Sequence, residues 1–184
     1  MKTKLLIFQG GSGATKTTNE ENLIKNGLAL RVPSYTSRNM RKGEVDKVDY
    51  YFTDAKTIQE LNKVLLITIT EDWLYGVSVE HMKEYAQKGK TLVYSCINVQ
   101  PAMDMYNYVR ENFDNIEPII VCFDIDIETR VSLIKKRGES EDKIKLRLAR
   151  EDSQDELKKV NGAIVVTDIN TAYDDIIRLG GIDV

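Results

Sequence analysis

The stretch KLLIFQGGSGATKTT, Lys4 to Thr18, decides how this chain is read. Leu5-Leu6-Ile7-Phe8 is an apolar run of the kind that forms a buried strand; it breaks into Gly10-Gly11-Ser12-Gly13 and then reaches Lys16-Thr17-Thr18. The order is nearly that of G-x-x-x-x-G-K-[ST], opening at Gly10, passing through Ala14 and Thr15, and closing at Lys16 and Thr17. In such a loop glycines let successive backbone N–H groups turn toward phosphate oxygens. The lysine reaches the β- and γ-phosphates, and the hydroxyl can ligate Mg2+. A helix that starts at the lysine points its positive end at the same anion. The pattern departs at one place, where Thr15 stands in the position of the glycine before the lysine. A side chain there must avoid a left-handed backbone or carry one at a cost of about 1–3 kcal/mol.

The rest of the composition narrows the setting. At 184 residues the chain is expected to form one domain with a sizeable core. A net charge of −3 argues against a general binder of nucleic acid or of a membrane surface, so lysines and arginines are expected to serve as phosphate contacts within a site. The apolar run near the start is too short for a signal peptide, and none elsewhere is long enough to span a bilayer. Cys96 and Cys122 both lie in apolar runs, as reduced core residues of a cytoplasmic protein do. A single histidine, His81, excludes a histidine-cluster metal site.

Read onward from the loop, the chain alternates helix and buried strand. TTNEENLIKNG is expected to be a helix stopping near Gly27, and LALRV a short strand ending at Pro33. KTIQELNKV reads as helix, LLITIT as strand, and SVEHMKEYAQKG as a helix with Val79, Met82 and Ala86 on one face. TLVYSCI and IIVCF are continuous apolar runs of the kind buried on both faces of a parallel sheet. PAMDMYNYVREN is a helix with Met103, Met105, Tyr106 and Val109 toward the core. IDIETRVSLIKKRG and ESEDKIKLRLAREDSQDELKKV are two further helices broken at Gly138. GAIVVTD is the last strand and NTAYDDIIRLGG the last helix. This is an α/β pattern with a largely parallel sheet flanked by helices.

Between strand and helix, SYTSRNMRKGEVDKVDYYF (Ser34 to Phe52) carries the second signal. Arg38 and Arg41, with hydroxyls from Ser34, Thr36 and Tyr50, have the groups to clamp a phosphate, because guanidinium forks match its oxygens in pairs. The same residues also read as a solvated loop with surface arginines. Farther on, Lys143, Arg147 and Arg150 form a cationic stripe on one helix. Glu139, Glu141, Asp142, Glu151 and Asp152 are close enough to pair with it, the commoner meaning of such a pattern.

SYTSRNMRKGEVDKVDYYF resembles the guanylate kinase signature S-x-T-T-R-x-x-R-x-G-E-x-x-G-x-D-Y-x-F. It keeps Ser34, Thr36, Arg38, Arg41, Gly43, Glu44, Asp49, Tyr50 and Phe52, and departs at Ser37 and Lys47. LYGVS followed by a helix is similar to the family's Y-Y-G-T-S, VYSCINVQPA to its L-D-I-D-x-Q-G-A, and LIKKRGESEDKIKLRLA to its lid. The resemblance thus runs along nearly the whole chain. It implies a P-loop nucleoside monophosphate kinase fold with a core over residues 1–33, 89–123 and 160–184, an inserted acceptor-binding flap over 34–88 and a helical lid over 124–152.

It further implies an ATP-dependent phosphotransferase acting on a nucleoside monophosphate, GMP or dGMP first. Residues Gly10 to Thr18 would hold ATP, with Thr17 near Mg2+. Ser34, Arg38, Arg41, Tyr50 and Tyr75 would bind the acceptor's monophosphate, Glu71 and Ser78 would contact the base, and Arg137 and Arg147 would close with the lid on the transferring phosphoryl. Lys16, Arg41, Arg137 and Arg147 are the residues expected to carry catalysis. The departures cluster where the base is read. Cys96 and Asn98 stand for two aspartates, Pro101 for a glycine, and Val77 for a hydroxyl residue; of the lost carboxylates one would help read the guanine edge, and an acidic group there commonly supports the water shell of Mg2+. That pattern predicts changed base choice with phosphate chemistry retained. The rival reading is a catalytically silent module of the same shape that binds a partner through the flap.

Overall fold

The structure is a computed structural model describing residues 2–32, 34–41, 43–61, 73–149, 151 and 153–183, together with the backbone of 64–70. Strands β1 (Thr3–Gln9), β2 (Ala29–Arg31), β7 (Thr91–Cys96), β8 (Ile116–Phe123) and β9 (Ile164–Val166) form one sheet in the order β2-β7-β1-β8-β9. Every pairing in it is parallel. The central strand is the one the opening sequence predicts. Its side chains alternate between two cores, as a pleated strand requires: Leu5 and Ile7 enter one, Leu6 and Phe8 the other. The first core is closed by α4 (Val99–Asn112) through Ala102, Met105, Tyr106 and Val109, with Met103 partly buried beside them. The second is closed by α1 (Lys16–Lys25) through Leu23 and by α8 (Ala172–Gly180) through Ala172 and Ile176. Helices on both faces explain why these strands read as unbroken apolar runs.

A second sheet, in the order β4-β3-β6-β5, lies between β2 and β7 in the chain. It is built from β3 (Ser34–Thr36), β4 (Tyr50–Phe52), β5 (Val64–Thr70) and β6 (Trp73–Ser78). Strands β3 and β4 are parallel, while β6 runs antiparallel to both β3 and β5. Helix α2 (Ala55–Glu60) is capped by Asp54, which accepts from Thr57 N at 2.8 Å. Helix α3 (Val79–Ala86) buries Met82 and Ala86.

Two elements differ from the sequence reading. WLYGVS, which the local pattern assigns to no element, is a strand because β6 is paired on both sides. The expected long helix after Gly138 is divided into α6 (Glu141–Leu148) and α7 (Asp155–Lys158), following α5 (Ile127–Lys136). At the division, Ser153 Oγ donates to Asp155 Oδ2 at 2.8 Å and accepts from Asp155 N at 3.3 Å, local bonding that competes with helix continuation.

Candidate active site

The glycine-rich loop joins β1 to α1, with Lys16 as the first residue of the helix. Gly13 has φ +80, and a Cβ there would lie 2.7 Å from the Arg130 carbonyl oxygen, so α5 packs directly on the loop's backbone. Thr15 takes the left-handed conformation, φ 63 and ψ 12, that the missing glycine would have taken. Asn19 supports it, donating from Nδ2 to Thr15 O at 3.0 Å and to Thr15 Oγ1 at 3.3 Å. Lys16 Nζ folds back over the loop and donates to the carbonyls of Gly10 and Gly11. Burial lowers the Lys16 ammonium from 10.5 to about 8, against the opposing attraction of Glu151 and Glu20. Thr17 and Thr18 are exposed on the first turn of α1, while Gly10, Gly11 and Ala14 are buried.

In the segment expected to bind the acceptor, one carboxylate gathers both arginines. Glu44 accepts from Arg38 Nη2 at 2.8 Å, from Arg38 Nη1 at 3.0 Å, and from the Arg41 backbone N–H at 2.6 Å. Gly43, at φ +94, permits the reversal that brings Glu44 back onto both arginines. The Arg38 guanidinium, almost fully buried, lies over the rings of Tyr50 and Phe52 at 5.4 and 5.6 Å, and Tyr50 meets Tyr75 edge-on at 6.1 Å. Burial, then the neighbouring Tyr75 and Glu20, raises the Tyr50 phenol above its ordinary value, so it stays a hydroxyl donor. Ser34 faces Tyr50 in the β3–β4 register and is half-buried; Arg41's side chain is exposed. Ser37 keeps a use for its hydroxyl, accepting from Leu74 N at 2.9 Å and so tying the segment to β6.

Of the two base-reading candidates, Ser78 is turned away from this clamp. Strand alternation puts Tyr75 and Val77 on one face of β6 and Ser78 on the other. Val77 is buried in the core with Met82 and Tyr94, and Ser78 Oγ caps α3 by accepting from His81 N at 3.4 Å. Glu71 lies outside the described residues, as does Arg150 of the cationic stripe. Burial pushes the Cys96 thiol up to about 12, so it is neutral beside Lys16, and its Sγ lies 3.7 Å from Phe8 O. Asn98 is the N-cap residue of α4. His81 stacks on Tyr51 and Tyr35 at 4.7 and 5.9 Å, on the opposite face of β3 and β4 from Ser34, Thr36, Tyr50 and Phe52.

In the lid segment, Arg137 is exposed at the C-cap of α5, and Arg147 pairs with Glu139 at 2.9 Å. Among the described residues neither makes a hydrogen bond or ion pair to the loop. The arginine that does touch it is Arg130, a residue no motif singles out. Sequence reasoning also missed an ionic network joining the loop's helix to the acceptor segment. Arg31 binds Glu20 of α1 and Asp49 of the acceptor segment, each at 2.7 Å, and Ser95 Oγ donates to Glu20 at 2.8 Å. Asp49 in turn accepts from Val45 N at 2.8 Å. Its one visible signal is Arg31, a lone charge in the apolar stretch LALRV; Glu20 is hidden beside Glu21 in a polar helix.

Comparison with known proteins agrees with this fold. The guanylate kinase family model matches residues 2–179. A guanylate kinase of Wolbachia sp. subsp. Brugia malayi is 27% identical over 179 residues, covering 94% of this chain and 89% of the relative. One from Rickettsia typhi is 30% identical over 166 residues, covering 87% and 80%. Among solved structures, guanylate kinase from Anaplasma phagocytophilum superposes with a TM-score of 0.66 at 19% identity, over 98% of this chain and 85% of that one.

Proposed function

The chain belongs to the guanylate kinase family, and on that premise we propose that it transfers the terminal phosphoryl of ATP to a purine nucleoside monophosphate, GMP or dGMP first, through the two sites described above. The observation that supports this most directly is that both phosphate-handling halves are built. Lys16 is seated in a glycine-rich loop, and Arg38 is forked onto Glu44 beside Tyr50 and Tyr75. Residues Gly10 to Thr18 hold the donor phosphates. Ser34, Arg38, Arg41, Tyr50 and Tyr75 take the acceptor's phosphate, and Arg137 and Arg147 neutralise the charge spread over the transferring group as the lid, residues 124–152, closes over the flap, 34–88. Phosphoryl transfer asks little covalent chemistry of the protein, so positioning and charge stabilisation suffice.

Mg2+ fits this donor set. Thr17 offers an exposed hydroxyl at the helix start, and among the described residues no cluster of three or more acidic, cysteine or histidine side chains forms a protein cage. Such an ion is typically held by one or two protein groups and the nucleotide's own phosphates, where it offsets phosphate charge.

Base choice is altered rather than lost. Val77 and Ser78 are committed to core and cap, while neutral Cys96 and Asn98 occupy the acidic positions, so the groups that read a guanine edge are reduced while the phosphate clamp is whole. A coupled ADP-release assay over ribo- and deoxynucleoside monophosphates is expected to show turnover with purines and weak discrimination among bases. Cys96→Asp and Asn98→Asp, made separately, are expected to raise guanine preference in one case. A folded protein that binds ATP yet turns over no acceptor would overturn the proposal in favour of a binding module.

A further inference from the structure

The loop that should grip phosphate is already gripping an anion, and the anion is the chain's own. Glu151 Oε1 accepts from the Ser12 backbone N–H at 2.8 Å, and its Oε2 accepts from Arg130 Nη1 at 2.6 Å. A loop amide and a guanidinium thus hold the two oxygens of one carboxylate, the arrangement in which they would hold two oxygens of a phosphate. The pair is largely shielded, with side chains 13% and 15% exposed. It also lies against bare backbone. A Cβ at Gly11 would come within 2.0 Å of Arg130 Nη1 and 2.4 Å of Glu151 Oε1, so no other residue fits there without moving it.

The two partners are not equally fixed. Arg130 is anchored independently of Glu151: Nε donates to Ile125 O at 3.1 Å and Nη1 to Ser12 O at 3.4 Å, and its own carbonyl and Ile134 pack on Gly13. Glu151 sits between α6 and α7, outside both helices, with a backbone N–H bonded to Leu148 O at 3.3 Å. If the carboxylate leaves, the guanidinium stays beside the loop.

We propose that Arg130 and the Ser12 N–H form a polyphosphate subsite of the donor loop, and that Glu151 fills it until an incoming phosphate oxygen displaces the carboxylate. The inference rests on the donor-site reading of the loop. A polyphosphate carries more charge than a carboxylate and draws on Lys16 and the remaining loop amides as well, so it wins the exchange but at reduced apparent affinity. Glu151 is therefore a built-in competitor, and the fraction of time it occupies the subsite lowers the observed affinity in proportion. Arg130 lies seven residues before Arg137, on the same face of α5, so the two guanidinium groups would line the phosphate chain from one helix.

Calorimetry with ATP, ADP and inorganic tripolyphosphate, each with Mg2+, tests this on the wild-type chain and on Glu151→Gln, Arg130→Met and Arg130→Lys. Glu151→Gln is expected to tighten ATP and tripolyphosphate by roughly three- to tenfold. Arg130→Met is expected to weaken both by about tenfold or more and ADP by less, with Arg130→Lys between it and wild type. The Arg130→Met, Glu151→Gln double variant is expected to bind no better than Arg130→Met alone. If the pair is only a strut, the variants lower thermal stability while shifting all three ligands equally or not at all, and the proposal fails. It fails too if ATP responds and tripolyphosphate does not, because the contact is then not to phosphate. If the wild type binds none of the three, the donor-site reading itself falls and carries this one with it. Retained wild-type binding with unresponsive variants overturns this inference alone.

Discussion

The donor loop and the acceptor segment solve the same problem at very different range. Each holds positive charge against an internal carboxylate, and in the proposed function each offers that charge to a phosphate. In the acceptor segment the pair is Arg38 and Glu44, six residues apart and inside one motif. In the donor loop the carboxylate is Glu151, 21 residues from Arg130 and 139 from Ser12. A local pair keeps the clamp organised whatever the rest of the chain does, whereas a distant pair ties the state of the loop to the position of the lid. On the proposed reading the acceptor clamp is a preformed fixture, and the donor loop is the half to be rearranged on binding.

That contrast predicts different failures. Lys16→Met is expected to cut kcat by about 10²–10³ with every acceptor, because the ammonium acts on the phosphoryl in flight. Arg38→Met is expected to raise the acceptor KM by roughly 10- to 100-fold, the worth of a hydrogen-bonded charge, and to leave ATP binding unchanged. Steady-state kinetics with each substrate varied in turn separates the two. An Arg38 variant that weakened ATP as much as its acceptor would break the division between the halves.

The network that joins the halves is the next place to press. Arg31 is 22% exposed and Glu20 6%, so Arg31→Met leaves a nearly buried carboxylate without its main partner. Breaking a fully buried pair costs about 3–5 kcal/mol. With partial exposure we expect about 2 kcal/mol, read by urea unfolding, together with a raised acceptor KM because Asp49 is released. A stability loss with unchanged KM would confine Arg31 to holding the fold.

How much of this was legible in sequence follows the same division. β1, the glycine-rich turn and the acceptor motif could be read because their chemistry is contained in short windows. A strand is an apolar run, and Glu44 follows Gly43 at the spacing that folds it back on Arg38. Arg130 could not be found this way. It belongs to no motif, and its significance comes only from α5 being laid across Gly13. The sequence favours ion pairing for Lys143 and Arg150 and reserves Arg147 for phosphate; in the structure Glu139 holds Arg147, and Glu151 is drawn away to the loop. Ser78 looked like a base contact from its neighbours in the chain, and the strand's alternation turned it into a helix cap. Tertiary placement decides such cases, and charge pattern alone does not encode it.

The donor half also carries a pH signature of its own. Lys16 is held at about 8 in the free protein, and phosphate oxygens around it raise that value. Below about pH 8 it is protonated with or without ATP, so affinity is flat. Above that, binding must take up a proton, and affinity falls by up to about tenfold per pH unit until the raised value is reached. The same depression means that Lys16 costs the free protein stability below pH 8, a cost relieved as pH rises toward 10.5. Calorimetry at pH 8.5–9 in buffers of different ionisation enthalpy is expected to show proton uptake with ATP; a flat profile would mean that Lys16 stays charged in the free loop.

One conformational feature makes the two halves alike, and it supports the smallest expected effect. Among the described residues, only Thr15 and Lys47 have positive φ without being glycine, at +63 and +65. Each stands where the sequence departs from a motif glycine, one in the donor loop and one in the acceptor segment; the third such departure, Pro101, lies within α4. The backbone has kept the left-handed turn while the residue that tolerates it has changed. A non-glycine residue in that region costs about 1–2 kcal/mol, and returning glycine gives back part of the gain as unfolded-chain entropy, about 0.5–1 kcal/mol. Thr15→Gly is therefore expected to stabilise by about 1 kcal/mol, raising Tm by about 2–4 °C in a chain of this size, with Lys47→Gly giving less because lysine is not β-branched. If Thr15→Gly instead lowers Tm, the one bond it removes, from Asn19 Nδ2 to Thr15 Oγ1, outweighs the strain, and the threonine is a stabilising element of the loop in its own right.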